Sequence, residues 1–524
     1  VGTQVNLSGK VSRFGHALNL ESPEYELVKE EKPLLHTGRL VPVYPETAGA
    51  SSKWFRNRIN FLFNQNFIVE FLPSDVLDKY HLLRIEVALS KIHFPALLSE
   101  VGEAHRRLSF DELFVLSLQS TLRRQEWQNR GVRTPLKIDK VKLETFQTSL
   151  PFILTQAQKR VTAEILSDFE KSTPMNRLLE GEVGSGKTVV AAIAMYVACL
   201  NGYRSLVMAP TEILSEQHYK TLSELLSPFG LKIGIQTGSV KNLKLKISAK
   251  GGSSFGRKSK KKLDIKNVNS APDILVGTHA LIEKSSRLDN VGLVVIDEQH
   301  RFGVRQRALL REKGATPHVL TMTATPIPRT MALTIYGDLD LSVIDELPHG
   351  RKYVRTWVVP AQKRLNAYAW IKKQLTDVPK SQVFIICPFI EPSESLITVK
   401  AATDEYQRLK KEIFSQFSLG LLHGKLKNHD KNQIMSDFKA GKYRLLVSTP
   451  VVEVGIDVPT ATIMLIEAAE RFGLAQLHQL RGRVGRSGIQ SYCLLFTSNG
   501  ATGIDRLKHM EKTYSGAKLA DLDL

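Results

Sequence analysis

After Pro151 the sequence alternates short runs of β-branched and other apolar residues with longer amphipathic segments. The runs that we predict to be strands are residues 205–209, 291–296, 318–322, 383–387, 444–448, 462–466 and 492–496. Parallel strands need a long crossover that usually holds a helix, so this alternation is typical of parallel α/β units. We therefore predict two tandem doubly wound domains with parallel sheets, at residues 149–340 and 341–500.

The first part of the chain has a different pattern. Apolar and polar residues alternate at Val5, Leu7 and Val11, and an apolar stretch at residues 40–44 ends at a proline. Period-two alternation of this kind favours strands. We predict a small β domain at residues 1–105.

A helix is expected next. Ser109 and Glu112 have the spacing of a capping box, and leucines follow at helical intervals. We predict that this helix begins near Ser109 and connects the β domain to the α/β domains over residues 106–148.

A short helix is also predicted at residues 51–59, where aromatic and basic residues interleave. We expect Trp54 and Phe55 to pack in the domain core and Arg56 and Arg58 to face the solvent. The alternative is that Trp54 stacks on a nucleic-acid base.

The composition is that of a globular protein. Hydrophobic residues make up 42% and charged residues 24% of 524 residues, which excludes a wholly disordered or collagen-like chain. No apolar run approaches the roughly 20 residues that span a membrane. Cys199, Cys387 and Cys493 each stand alone in an apolar segment, a pattern that predicts neither disulfides nor a metal site. These features predict a cytoplasmic protein.

The net charge of +20 suggests a polyanionic partner, although charge alone is a weak argument about function. Much of it comes from residues 241–270, which hold ten Lys and Arg and one Asp. We predict that this stretch is a flexible basic loop inserted in the first α/β domain, with an auxiliary contact to phosphates.

Residues 181–188 read Gly-Glu-Val-Gly-Ser-Gly-Lys-Thr, which matches the pattern G-x-x-x-x-G-K-[ST] and precedes a helix-forming apolar run. In such a loop, glycines let backbone N–H groups converge on phosphate oxygens at a helix N-terminus. We predict that Lys187 neutralises the β- and γ-phosphates and that the Thr188 hydroxyl coordinates Mg²⁺. The nucleotide-binding residues predicted in this loop are Gly181, Gly184, Ser185, Gly186, Lys187 and Thr188.

Two adjacent carboxylates, Asp297 and Glu298, end the predicted buried strand at residues 291–296. Such a pair alone is more often a solvated turn, but the phosphate-binding pattern upstream favours a functional interpretation. The metal of a Mg–nucleotide is the simplest partner at the carboxyl edge of a parallel sheet. We predict that Asp297 holds Mg²⁺ and that Glu298 is the general base for the attacking water.

A block of arginines lies in the second α/β domain, where residues 479–486 read Gln-Leu-Arg-Gly-Arg-Val-Gly-Arg. Arginines in a run are usually a solvated helix face, but the two glycines would weaken such a helix. We predict instead that Arg483 and Arg486, with Gln479 in the same catalytic block, act at the γ-phosphate and stabilise transition-state charge. Hydrolysis would then depend on closure of the two domains.

Together these blocks resemble the motif set of superfamily 2 helicases, and in particular that of the RecG family of bacterial branched-DNA translocases. The stretches that carry the resemblance are residues 22–25, 41–45, 106–114, 154–158, 181–188, 209–218, 277–281, 297–303, 323–330, 346–351, 422–424, 448–459 and 470–486. The transcription-repair coupling translocase has similar motor domains and is the nearest alternative family. Within the shared motifs, however, several residues resemble those of RecG and not those of that translocase. They are Ser185, Gln299, Gln306, Arg307, Glu470 and Arg471.

The resemblance implies a fold of two RecA-like motor domains preceded by an OB-like β-barrel wedge domain. It implies ATP and Mg²⁺ as cofactors, with Gln158 near the adenine and Gly455 and Asp457 at the nucleotide. It also implies contacts to the DNA backbone from a set of hydroxyls, although a hydroxyl near a strand end is more often a turn or helix cap. These residues are Thr211, Thr278, Thr323 and Thr449.

The implied function is ATP-dependent helicase or translocase activity on branched DNA, at stalled forks and Holliday junctions, in recombination and repair. The implied state is a monomer on DNA, in the bacterial cytoplasm and associated with the nucleoid. The alternatives are a related motor, such as a transcription-repair coupling translocase or an RNA helicase, or a junction-binding protein with an uncoupled motor. By comparison with the family, we expect the sequence to start within the wedge domain and residues 501–524 to open a C-terminal region that continues further.

Overall fold

The structure is a computed structural model. It describes residues 3–14, 16–28, 34–63, 65, 68–129, 135–237, 244–246, 271–278, 289–298, 317–326, 328, 337–348, 350–388, 395–450, 458–485, 488–498 and 503–523. The chain divides into two units, Val1–Thr121 and Leu122–Leu524. Within the described ranges, no helix has the length and apolarity needed to cross a membrane.

The first unit opens with an antiparallel hairpin, which is followed by helices joined by irregular segments in the described residues. The hairpin pairs β1 (Val5–Phe14) with β2 (Ala17–Leu27). The helices are α1 (Ser52–Phe63), α2 (Ser74–Tyr80), α3 (Ile85–His93) and α4 (Leu98–Gln128), the last of which continues into the second unit. Residues 40–44 form no strand, so the strand-like interpretation of that stretch is wrong. Pro42 lacks the N–H donor that a ladder needs. The OB-like barrel stays a prediction.

Helix α4 corrects the predicted start at Ser109, because it begins eleven residues earlier and runs through that position. The fully buried Arg107 pairs with Glu70 at 2.7 Å and with Asp111 at 2.9 Å, one turn further along the helix. A buried arginine with both carboxylates in place holds this turn inside the helix. Tertiary contacts therefore override the local capping signal.

Helix α1 confirms the predicted helix but not the expected roles of its side chains. Trp54 is 44% exposed, and the Arg58 guanidinium lies 5.5 Å from its ring centre. Arg56 is buried instead, and it lies 3.6 Å from the Glu24 carboxylate. The expected core position of Trp54 is therefore wrong, and so is the solvent-facing position of Arg56.

The second unit contains two sheets, as predicted. The first has the order β10-β3-β9-β8-β4-β7-β5-β6 and is parallel apart from the β5–β6 pair. Its strands are β3 (Asn176–Gly181), β4 (Arg204–Met208), β5 (Ile233–Gln236), β6 (Lys244–Lys246), β7 (Ile274–Gly277), β8 (Val291–Asp297), β9 (His318–Thr323) and β10 (Asp340–Ile344). Strand β6 lies within the predicted basic loop 241–270, and the remainder of that loop lies outside the described residues.

The second sheet is parallel throughout and has the order β11-β16-β15-β12-β14-β13. Its strands are β11 (Arg355–Val359), β12 (Gln382–Ile386), β13 (Leu419–Leu422), β14 (Leu445–Ser448), β15 (Ala461–Ile466) and β16 (Tyr492–Phe496). The change of domain falls between Ile344 and Arg355, a few residues after the predicted boundary. Each strand predicted after Pro151 is confirmed to within one residue at either end.

Helices cover these sheets. They are α5 (Lys140–Thr148), α6 (Gln156–Phe169), α7 (Lys187–Leu200), α8 (Glu212–Leu226), α9 (Arg364–Asp377), α10 (Ser395–Arg408), α11 (Asn428–Lys439), α12 (Leu474–Arg481), α13 (Ile504–Lys512) and α14 (Gly516–Asp523). Helix α7 is buried from Val189 to Ala198 in the core of the first domain. Leu507, Met510 and Leu519 of α13 and α14 belong to the core of the second domain.

Candidate nucleotide site

The phosphate-binding pattern forms a loop between the buried strand β3 and the N-terminus of α7. Gly184 and Gly186 have φ angles of 77° and 91°, a conformation that residues with side chains rarely adopt. A Cβ on Gly186 would also lie 2.2 Å from the Gln158 amide nitrogen. The Lys187 ammonium donates to the carbonyls of Gly181 at 2.7 Å and Glu182 at 3.0 Å. The loop therefore has the shape that places backbone N–H groups and one lysine around a phosphate.

Gln158 ties helix α6 to this loop. Its side-chain oxygen accepts from the Thr155 N–H at 2.9 Å, and its amide nitrogen donates to the Ser185 carbonyl at 2.7 Å. The Thr155 hydroxyl accepts from the Gln158 N–H in return, which completes a capping box. Gln158 thus holds the phosphate-binding loop, and its place near the adenine stays a prediction.

An apolar cavity of about 550 Å³ adjoins the loop on this side. Gln158, Gly186 and Thr188 line it, together with the aromatic side chains of Phe152 and Phe229. A slot with aromatic walls beside a phosphate site suits a flat nucleobase. Neither phenylalanine could be identified from the sequence, because a lone aromatic residue gives no signal of the cavity that it will line.

Asp297 lies at the carboxyl end of β8, and its Oδ2 is 2.7 Å from Nε2 of His218 on helix α8. Burial alone would raise the pKa of Asp297. The hydrogen bond from His218 and the charge of Lys187 outweigh that effect, so the pKa lies below its usual value and the carboxylate is ionised. His218 ends the helicase-like stretch 209–218, but the sequence predicted no role for this residue.

Glu298 follows with a φ of +54°, the left-handed region that disfavours residues with a Cβ. Its N–H donates to the Met322 carbonyl of β9 at 3.0 Å, which fixes this turn. Strain held by neighbouring structure is common at functional sites.

These residues fit a magnesium ion that is shared with a nucleotide. Among the described residues, no group of three or more His, Cys, Asp or Glu side chains could hold a metal by themselves. Mg²⁺ typically takes one or two protein ligands and completes its shell with phosphate oxygens and water. The ionised Asp297 and the Thr188 hydroxyl would supply such a partial set, and their role as metal ligands stays a prediction.

The second domain meets this site through helix α12 and the turn after it. The Gln479 amide donates to the Thr325 hydroxyl at 2.6 Å, directly after β9 of the first domain. A Cβ on Gly482 would lie only 3.0 Å from the Cβ of Val183, so a glycine lets this turn approach the phosphate-binding loop. Arg483 follows and is 3% exposed.

Arg481 is buried against backbone carbonyls of its own domain. It is 3% exposed and donates to the carbonyls of Met510 at 2.8 Å and Thr513 at 3.1 Å, and to Nδ1 of His478 at 2.8 Å. The solvated-face alternative is therefore wrong for Arg481 and Arg483. Arg486, Gly455 and Asp457 lie outside the described residues.

His478 extends the contact between the domains. Since its Nδ1 accepts from Arg481, its Nε2 carries the proton and faces Glu182 Oε1 at 3.6 Å. Burial, together with the charges of Arg481 and Arg351, lowers the pKa of His478 to about 3, so the ring is neutral. Glu182, in the phosphate-binding loop, also accepts from the Gly516 N–H at 3.1 Å. Neither contact was predicted from the sequence.

The hydroxyls predicted to contact DNA are mostly buried. Thr211 caps helix α8 by accepting from the Leu214 N–H at 3.3 Å, and Thr323 accepts from the Thr325 N–H at 3.1 Å. The alternative interpretation as a cap or turn describes these two well. Thr278 and Thr449 have buried hydroxyls without a hydrogen-bond partner among the described residues. Their contacts to DNA stay a prediction.

The comparisons with known proteins agree with this geometry. The family model for DEAD/DEAH box helicases matches residues 155–334, and the model for the helicase conserved C-terminal domain matches residues 366–488. Two parallel-sheet domains of this type, with a phosphate-binding loop facing an arginine-bearing turn, define a two-domain helicase motor.

Relatives and one solved structure identify the family. The chain is 44% identical to the ATP-dependent DNA helicase RecG of Synechocystis, over 98% of this chain and 60% of that protein. It is 40% identical to that of Bacillus subtilis, over 100% and 74%. The structure of RecG bound to a three-way DNA junction superposes with a TM-score of 0.74 at 38% identity, over 99% of this chain and 66% of that one. The chain belongs to the RecG family of ATP-dependent DNA helicases. It spans 60% and 65% of the length of the Synechocystis and Thermotoga maritima relatives.

Proposed function

We propose that this chain is the motor of an ATP-dependent helicase that acts on branched DNA, such as stalled forks and Holliday junctions, in recombination and repair. The observation that carries the proposal is a phosphate-binding loop beside an ionised Asp297 and an arginine-bearing turn, in a chain of the RecG family. The similarity to RecG bound to a three-way junction supports branched DNA as the partner. We infer that the protein acts as a monomer on DNA, in the bacterial cytoplasm and at the nucleoid, since the relatives are bacterial.

The geometry of the site supports the following assignment of roles. Lys187 and the backbone N–H groups of the loop bind the phosphates, and Gln158 supports the loop beside the base cavity. Asp297 and Thr188 would hold Mg²⁺, which neutralises phosphate charge when bound. Glu298 accepts a proton from the attacking water.

The second domain supplies further positive charge at the γ-phosphate. We assign Arg483 and Arg486 to the γ-phosphate and Gln479 to the contact between the domains, with Gly455 and Asp457 as further nucleotide residues. Because Arg483 belongs to one domain and Lys187 to the other, hydrolysis requires the two domains to be together. This coupling is how a motor converts hydrolysis into movement.

We assign DNA contacts to Thr211, Thr278, Thr323 and Thr449, with Trp54 as a stacking residue in the first unit. An exposed tryptophan on a helix with a neighbouring arginine suits contact with a base.

The test measures the rate of ATP hydrolysis in the presence of forked DNA, linear duplex DNA or RNA. We expect forked DNA to stimulate hydrolysis most. We also expect K187A and E298Q to lose hydrolysis while their circular dichroism spectra show that they remain folded. Full hydrolysis in either variant would refute the site assignment. Preferential stimulation by RNA would favour an RNA helicase, and junction binding that ignores ATP would favour a protein with an uncoupled motor.

A further inference from the structure

Arg351 lies in the connection between the two motor domains, after β10 and before β11. Its N–H donates to the Pro348 carbonyl at 3.3 Å, and Gly350 has a φ of +83°, so the chain turns tightly just before it. This turn directs the Arg351 side chain between the domains. One nitrogen of its guanidinium, Nη1, donates to the Val183 carbonyl, and another, Nε, donates to the Gly485 carbonyl at 3.2 Å.

These two carbonyls belong to the two loops on which hydrolysis depends. Val183 precedes Gly184 in the phosphate-binding loop, and Gly485 lies two residues after Arg483. The guanidinium also packs directly on the loop, since a Cβ on Gly184 would lie 2.3 Å from Nη1. One side chain therefore holds both loops where Gly482 and Val183 come together.

We propose that Arg351 is a positioning residue that fixes the Arg483 turn against the phosphate-binding loop. The inference rests on the proposed function, because it assigns Arg351 to the same nucleotide site. A guanidinium presents several donors in fixed directions and can bridge two carbonyls that face it from different sides. A lysine has a single nitrogen on a flexible stem, so it cannot occupy the separate positions of Nε and Nη1 at the same time.

A positioning role for Arg351 predicts an effect on the rate of hydrolysis but not on nucleotide affinity. The N–H groups of the loop and Lys187 bind phosphate within the first domain, so nucleotide affinity should survive the loss of Arg351. Placement of Arg483 depends on the bridge, and small displacements of a catalytic group reduce turnover strongly. A side chain that contacts phosphate itself would instead change affinity.

The experiment measures DNA-stimulated ATP hydrolysis and the binding of a fluorescent ADP analogue. For R351A we expect kcat to fall about tenfold or more, with KM and the Kd of the analogue changed by less than about threefold. R351K should resemble R351A, because it keeps the charge and loses the bridge. K352A is the matched control, since its exposed neighbouring side chain should leave kcat unchanged.

A double-mutant comparison tests whether Arg351 acts through Arg483. If it does, R351A adds little to the loss already caused by R483A, whereas independent roles would multiply. A wild-type kcat in R351A, full rescue by R351K, a rise in KM without a fall in kcat, or multiplied losses would each overturn the inference. Thermal unfolding of R351A and R351K identifies any loss of folded protein, and kcat is then taken per folded molecule. Hydrolysis that persists in K187A would refute the proposed site itself, whereas loss of hydrolysis in K187A together with a wild-type kcat in R351A would refute the role of Arg351 alone.

Discussion

Substitution of His218 gives a quantitative test of how the site prepares Asp297. In H218A the Asp297 carboxylate, whose side chain is 13% exposed, loses the hydrogen bond of 2.7 Å that holds it in place. A hydrogen bond to a charged group contributes about 1.5–3 kcal/mol. Loss of that amount corresponds to about 10- to 100-fold in affinity, which is also the usual cost of removing a partner that orients a metal ligand. We therefore expect the half-saturating Mg²⁺ concentration for hydrolysis to rise by about that factor.

The assay titrates free Mg²⁺ at fixed ATP and compares wild type, H218A and H218Q. A glutamine at this position keeps an N–H donor, so H218Q should recover part of the loss. K220A is a control on the same helix, because Lys220 is largely exposed. An unchanged Mg²⁺ dependence in folded H218A would refute the reasoning that His218 prepares a metal ligand.

Three further predictions concern stability and DNA binding. R481A should lower the free energy of unfolding by about 3 kcal/mol or more, because the buried carbonyls of Met510 and Thr513 lose their donor. A denaturant titration measures this change, and R471A, at an exposed position, is the control. Burial raises the pKa of Glu182 above 4.5, so the folded state binds its proton more tightly and stability falls as pH rises through that raised pKa. The thermal advantage of E182Q over wild type should therefore be larger at pH 8 than near pH 5, and a constant difference would contradict this. Deletion of residues 247–270 should flatten the salt dependence of DNA binding and leave basal hydrolysis intact, whereas an unchanged slope would mean that the segment makes no phosphate contact.

The fold of the motor could be predicted in detail from the sequence because its signals are local. Buried parallel strands are continuous apolar runs separated by amphipathic helices, and strands such as β8 and β15 end within a residue of their predicted ends. Sequence-based predictions were wrong where local and tertiary signals disagree. Ser109 has a good capping pattern, yet the buried pairs of Arg107 keep the chain helical through it.

The candidate site also contains residues that could be identified from the sequence and residues that could not. A phosphate-binding loop requires glycines, a lysine and a hydroxyl at fixed spacing, so Gly184, Gly186, Lys187 and Thr188 could be identified from the sequence alone. Phe152 could not, because its role depends on a cavity formed with residues far along the chain. Spacing carries no information about such partners.

The sequence by itself therefore determined the class of chemistry, since backbone geometry within a few residues creates a phosphate site and an acidic strand end. Only the tertiary structure decided which partners tune that chemistry. It joined His218 to Asp297, brought Gly516 to Glu182 and set Arg351 between Val183 and Gly485. The physical reason is that these contacts join elements far apart in sequence, and their geometry is fixed by how the sheets and helices pack.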